Sequence, residues 1–356
     1  VGSVTGLLTS EMARDLFGRR TAILAGLIAA TYPQLFLFDT WLYSESLATC
    51  LFAASCLATM QVVQRPIGWR WVLVGILIGI IGITALVRPN GIYGLIAVVA
   101  WAAAVVWRRP VLAKRAVLAA GLIVLGCIAI LAPGTVRNFV VTVGAFVPLS
   151  SGGGIVLAGA YSNAAYETSG FRGNWVNPAN NPYMDAEDRS VADSFSKNGF
   201  SCWGRCEVVR DQAFTQMGLR WLRTHLNLIP RLLTLREGMF WQPASPLDEA
   251  GMKILRPVAI GYPTLVIALA LPGLLALLRR RQGTSALIFI IYGATVIAGG
   301  PVFYGSPRMR SSLEPFLVTL AAGALVYWIT QLHALLQARR TEQAGLATVM
   351  SAADER

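Results

Sequence analysis

Long apolar runs alternate along the chain with short polar turns, and every second turn is dense in arginine. A helix needs about 20 predominantly apolar residues to cross a bilayer core. Eight runs approach that length, at about 21–38, 46–63, 71–87, 91–107, 116–132, 255–278, 284–300 and 313–335. The fifth run meets Pro133-Gly134, which the pattern predicts as its stop. Arginine is concentrated in the turns at 14–20, 65–70, 108–115, 279–281 and 339–340. Lys and Arg clusters stay on the cytoplasmic side of a membrane, so these turns fall on that face. The turns at 39–45, 88–90, 133–138 and 301–312 then fall on the other. Trp41, Trp69, Trp71, Trp101 and Trp107 lie near span ends, where an interfacial aromatic belt belongs. The pattern predicts an all-α protein, a polytopic transmembrane helix bundle.

One polar stretch, 138–253, interrupts the apolar pattern and has to lie outside the bilayer. The organisation expected is a five-span bundle at 1–137, a mixed but mostly helical extracytoplasmic insertion at 138–253, three spans at 254–338, and a cytoplasmic tail at 339–356. Within the insertion, Gly152, Gly153 and Gly154 let backbone amides approach an anion or a sugar closely. The segment around Asn163, Tyr166, Glu167 and Trp175 mixes aromatics with amides. That mixture suits a sugar-binding surface, with rings for the apolar face and amides for hydroxyls; an irregular surface loop is the alternative. Residues 185–197 read as a polar helix capped by Asp185, and 207–233 as a second helix. The segment 226–241, with Arg231 and Arg236, reads as an amphipathic helix lying on the bilayer surface.

Composition sharpens this picture. The chain of 356 residues is 55% apolar and 13% charged, against about 25% charged in a soluble domain. Its net charge is +12, but the arginines sit at span ends rather than on one stripe, so topology explains them and no nucleic-acid partner is expected. The only histidines are His225 and His333, so no metal is expected, since a zinc site takes about four ligands. Cys50, Cys56 and Cys127 fall inside spans as small core residues. Cys202 and Cys206, outside the cytoplasm, are expected to close a local disulfide; a redox motif would have two intervening residues rather than three. The chain opens Val1-Gly2-Ser3, from which the sequence is expected to begin inside a longer protein.

Arg88, Arg308 and Arg310 break the sign rule by lying on the outer face. A charge near the bilayer is costly unless paired or at work. Snorkelling to lipid phosphates is one explanation; gripping an anionic lipid head group is the other.

The order of these features resembles the GT-C membrane glycosyltransferases, in particular the dolichyl-phosphate-mannose–protein mannosyltransferase-like group that includes the lipid A aminoarabinose transferase. The resemblance rests on Ala-Arg-Asp-Leu-Phe-Gly-Arg-Arg at 13–20, on Tyr32-Pro33 followed by Tyr43-Ser44-Glu45, and on Arg88-Pro89-Asn90-Gly91. It continues in Pro133 to Asn138, with Gly134 where Trp is usual, and in Val147 to Gly153. The last piece is Ser306 to Pro315, with Met309 in place of Tyr. The resemblance implies an inverting transferase of the cell inner (plasma) membrane. It would move a sugar from a polyprenyl-phosphate donor to an extracytoplasmic acceptor, without a cofactor. Arg137, Arg308 and Arg310, with Arg88 behind them, would hold the donor phosphate. Glu45 and Asn138 would support them from the outer face. Asn163, Tyr166, Glu167 and Trp175 would serve the acceptor. The family's acidic catalytic residue sits in its first outer loop, and the resemblance places that loop upstream of Val1. The rival function is a lipid-linked glycan transporter or flippase, or a non-catalytic membrane subunit. No internal repeat supports the transporter.

Overall fold

The computed structural model describes residues 1–40, 43–64, 67–108, 110–142, 144–168, 172–197, 204–243, 256–280 and 283–354. Among them there is no strand. The helices in chain order are α1 Gly2–Phe17, α2 Arg19–Thr31, α3 Pro33–Thr40, α4 Ser44–Gln64, α5 Ile67–Val87, α6 Ile92–Arg108 and α7 Ala113–Val141. The polar stretch forms α8 Gly153–Ala160, α9 Asn163–Glu167, α10 Pro182–Ser196, α11 Arg205–Thr224 and α12 Ile229–Phe240. Three long helices follow, α13 Arg256–Arg279, α14 Gly283–Phe303 and α15 Glu314–Asp354. The protein is an all-α membrane bundle.

Among the described residues six helices are long and apolar enough to span a bilayer: α4, α5, α7, α13, α14 and α15. They coincide with six of the eight expected runs. α6 is apolar but has 17 residues, roughly 26 Å of helix. The run expected at 21–38 is divided at Tyr32, whose extended backbone precedes Pro33, into α2 and α3. The residues ahead of it form a further helix. α1 folds back on α2 through Gly18, whose φ of 98° favours glycine, and Ser10 Oγ donates to the Ala22 carbonyl at 2.9 Å. The hairpin returns the chain to its start, so that a Cβ on Gly2 would overlap the Asp39 carboxylate.

Pro133 does not stop the fifth run. α7 passes through it to Val141. The continuation is held by the following loop: Thr135 Oγ1 donates to the Pro148 carbonyl at 2.9 Å, and Asn138 Nδ2 to those of Val147 at 3.1 Å and Leu149 at 3.3 Å. These latches offset the single helical hydrogen bond that a proline removes.

The bundle core joins Met12 and Leu16 of α1 to Phe52 of α4, Tyr292 of α14 and Phe316 of α15. Phe52 packs on Tyr292 at 5.3 Å and on Phe316 at 5.8 Å. α13 and α15 approach closely because Gly273 leaves room for the Leu320 backbone. Outward side chains such as Leu125, Ile128, Leu271 and Leu332 are exposed and apolar, as lipid-facing positions should be.

α8 to α12 form a small second core around Ala160, Tyr161, Trp221 and Leu232. The polar helix begins at Pro182, and its cap is Asn181, which accepts the Tyr183 N–H at 3.3 Å, rather than Asp185. The second helix ends at Thr224 and not beyond His225. Gly152 to Gly154 open α8, but Gly154 presents its amide to a protein group: its N–H donates to Asp211 Oδ1 at 2.6 Å. A Cβ there would strike the Asp211 carbonyl, so this glycine lets α8 lie against α11.

Candidate functional site

Glu45, Arg88 and Arg308, expected on the outer face, converge at one end of the bundle. Glu45 lies in the first turn of α4, where a carboxylate complements the helix dipole. Arg88 follows the last residue of α5. Arg308 belongs to the 3-10 turn Pro307–Leu313, whose start is capped by Ser306 Oγ accepting the Arg308 N–H at 3.3 Å. Both arginines reach the same carboxylate oxygen. Arg88 Nη1 donates to Glu45 Oε1 at 2.7 Å; Arg308 donates to it from Nη2 at 2.6 Å and from Nε at 3.0 Å. The side chain of Glu45 is 2% exposed, that of Arg88 21% and that of Arg308 41%. Arg308 also lies over the Tyr43 ring, 4.7 Å from its centroid, which holds the guanidinium plane. Two cations and one anion leave a surplus positive charge, and Arg308 presents it outward.

Behind this cluster is a cleft of only about 10 Å³ lined by Arg88, Tyr93, Arg308 and Ser312. The Tyr93 hydroxyl is buried there with no hydrogen-bond partner among the described residues. The cleft admits a water at most, so a larger anion has to meet Arg308 from its exposed side.

Arg310, two residues on, is placed differently from expectation. It is fully buried. Its Nε donates to Glu314 Oε1 at 2.8 Å, and its Nη1 to the carbonyls of Phe240 at 2.6 Å and Gln242 at 3.1 Å. Tyr32 donates to the other Glu314 oxygen at 2.7 Å. Arg310 thus caps the C-terminus of α12 and ties it to the bundle, and no lipid phosphate reaches it. Arg137 is exposed on α7; the contact it shows is with Asn138 Oδ1, at 3.5 Å, not with the Glu45 cluster. Asn138 latches the loop after α7, as described above.

Arg236, expected on the polar face of an interfacial helix, is also fully buried. It donates from Nη1 to the carbonyls of Pro301 at 3.2 Å and Val302 at 3.3 Å, and from Nη2 to that of Ala160 at 2.5 Å. Its guanidinium stacks on Tyr161, 4.4 Å from the centroid, and Tyr161 donates to the Val302 carbonyl at 2.6 Å. Burial lowers its pKa. Nothing in the periodicity of α12 separated Arg236 from Arg231, which lies over Tyr166 at 5.9 Å.

Of the residues expected to serve an acceptor, Asn163 lines a cavity. It shares one of about 200 Å³ with Tyr161, Asn181, Tyr183, Met217 and Trp221. Asn163 Oδ1 accepts the Trp221 indole N–H at 2.7 Å, which orients its amide. Trp175 donates to the Ile155 carbonyl at 3.2 Å and works as a strut under α8. Glu167 is exposed, and Tyr166 is half-buried under Arg231. The tryptophan and tyrosine that share the Asn163 cavity were not singled out for it; Trp221 reads in sequence as part of an apolar helix stripe. Cys206 is disulfide-bonded, and Cys202 lies outside the described residues. Among the described residues no group of His, Cys, Asp and Glu is arranged to hold a metal ion.

Residues 1–132 match the family model of dolichyl-phosphate-mannose-protein mannosyltransferase. The match covers a little over a third of the chain and agrees there with the resemblance read from the sequence. None of the curated proteins matches. Among solved structures, the chain is similar to the archaeal oligosaccharyltransferase AglB from Archaeoglobus fulgidus, in complex with an inhibitory peptide and a dolichol-phosphate. The TM-score is 0.49 and the identity 12%, over 96% of this chain and 40% of that one. The chain therefore spans less than half the length of that protein.

Proposed function

We infer, from a chain whose first 132 residues match a mannosyltransferase family model, that this protein is an inverting glycosyltransferase using a polyprenyl-phosphate sugar. The observation that carries the reading is the surplus cation held by Glu45 at the bundle end. Arg308 receives the donor phosphate on its exposed side, and Arg88 adds charge from behind. In the reaction the acceptor hydroxyl oxygen bonds to the anomeric carbon as the bond from that carbon to the phosphate oxygen breaks. The hydroxyl proton goes to a base, and the polyprenyl phosphate leaves. Charge grows on the departing phosphate, and a fixed guanidinium stabilises that growth without reorganising. Arginine suits the task because its fork binds phosphate in two places and stays charged. Glu45 is a positioning residue: its Oε1 is already shared by both arginines, which leaves it poorly placed to take a proton. The cavity beside Asn163 takes part of the acceptor, with the exposed ring of Tyr183 as its stacking face. The stretch 138–253 lies outside the cytoplasm.

The test is binding of a radiolabelled polyprenyl-phosphate sugar by protein purified in detergent. Arg308→Ala should weaken binding about tenfold or more, the worth of a charge-assisted hydrogen bond. Arg308→Lys should recover only part. Unchanged binding by the alanine variant, with normal folding, would remove the phosphate assignment.

A further inference from the structure

At the arginine-rich end of the bundle, opposite the Glu45 cluster, α4, α5, α6, α7 and α14 enclose a cavity of about 260 Å³. Its walls are apolar, with Val63, Val74, Val105 and Ala119 among them. Two guanidinium groups, Arg70 and Arg115, also line it, one from the start of α5 and one from the start of α7. Arg115 is exposed, and Arg70 is half-buried. Among the described residues no carboxylate lines the cavity, and Arg70 Nη2 donates to the Val63 carbonyl at 3.4 Å.

Trp101 contributes a second, independent feature. It lines the cavity and is 7% exposed. Its indole Nε1 is buried with no hydrogen-bond partner among the described residues. A buried donor without an acceptor is a standing cost to the fold, and native structures keep few of them. The cavity therefore offers an apolar volume, with the Trp101 ring in its wall, and two cations.

We propose that this cavity binds an anionic phospholipid of the leaflet at the arginine-rich end. One acyl chain fills the apolar volume, and the phosphate lies against Arg70 and Arg115. The ligand has to be a lipid, because a free phosphate would leave the apolar volume empty. It has to be anionic, because a zwitterionic head group brings its own cation to a site already holding two. Basic pockets between spans are a general means of taking such head groups. The site is separate from the donor cluster: Val63 and Glu45 lie at opposite ends of α4, roughly 27 Å apart along the helix. An occupied cavity would brace α5, α6 and α7 against one another.

Native mass spectrometry of the full chain, released from detergent, tests this. Phosphatidylglycerol and phosphatidylcholine of identical acyl chains are offered in turn, with inorganic phosphate and polyprenyl phosphate in parallel samples. The wild type should retain phosphatidylglycerol about tenfold or more over phosphatidylcholine, and should not retain inorganic phosphate. Arg70→Gln with Arg115→Gln should abolish the preference. Ala119→Phe, which fills the cavity, should abolish retention. Unchanged helical circular dichroism and unchanged donor-lipid binding at the Arg308 end show that the variants fold. The surface arginine pair decides the matter if the cavity-filling variant does not fold. Equal retention of the two phospholipids, retention of polyprenyl phosphate that is lost with the Arg70→Gln, Arg115→Gln pair, or full retention of phosphatidylglycerol by the folded variants would overturn the proposal.

Discussion

A guanidinium that binds an incoming anion needs an open approach to its fork, whereas one that holds a fold together is sealed among protein acceptors. Arg308 meets the first condition; Arg310 meets the second through Nε and Nη1, its Nη2 being buried with no partner among the described residues, although the two stand two residues apart. The 3-10 turn accounts for the difference: at about three residues per turn, positions i and i+2 project on different sides. Both arginines were legible in sequence as outer-face charges worth explaining. Their separate roles were not, because the 3-10 geometry of residues 307–313 has no compositional signature. Stability distinguishes them. Arg310→Ala leaves Glu314 buried with Tyr32 as its remaining partner, and loss of one member of a buried pair costs about 3–5 kcal/mol. The melting temperature in detergent should fall markedly for Arg310→Ala and little for Arg308→Ala. Equal losses would mean that both are structural.

At the scale of elements, side chains and loops override the local signals. Pro133 reads as a stop until the loop at 147–149 latches onto Thr135 and Asn138. The amphipathic pattern of α12 was legible, but not that its arginine at 236 turns toward the C-terminal carbonyls of α14, because periodicity does not reveal which neighbour an arginine caps. The glycines before α8 follow the same rule. Their conformational freedom was visible, while their purpose depended on α11 being the next neighbour. That contact has a pH signature. Burial raises the pKa of Asp211, and the Gly154 N–H opposes the shift without cancelling it. The carboxyl therefore holds its proton more tightly folded than unfolded. Its contribution to stability is full below the unfolded value of about 3.9 and is lost as pH rises through the higher folded value. Asp211→Asn keeps an oxygen acceptor for Gly154 but cannot titrate. Melting curves of wild type and variant across the acidic range should diverge, the variant being flatter; parallel curves would show that Asp211 does not set this dependence.

Across the whole molecule, the bundle and the polar stretch are joined where the proposed donor site is built. Gly305, just before the arginine turn, donates its N–H to the Gly173 carbonyl at 2.8 Å, and Gly173 holds a φ of 83° that other residues rarely adopt. The turn bearing Arg308 is thus positioned from the α8–α12 side as well as from the spans. Which side of the membrane this junction faces follows, on our reading, from the arginine asymmetry alone. The cysteine content makes that reading easy to test. Cys50, Cys56 and Cys127 are buried and Cys206 is disulfide-bonded, so the native background of these four should be low. Asn180 and Arg279 are exposed, one in the polar stretch and one at the end of α13. In intact cells a membrane-impermeant maleimide should label Asn180→Cys and leave Arg279→Cys unlabelled until the membrane is opened. The reverse pattern would invert the bundle. Arg308 would then face the cytoplasm, and the acceptor would have to be sought there, while the lipid site at Arg70 and Arg115 would move to the outer leaflet with its chemistry unchanged.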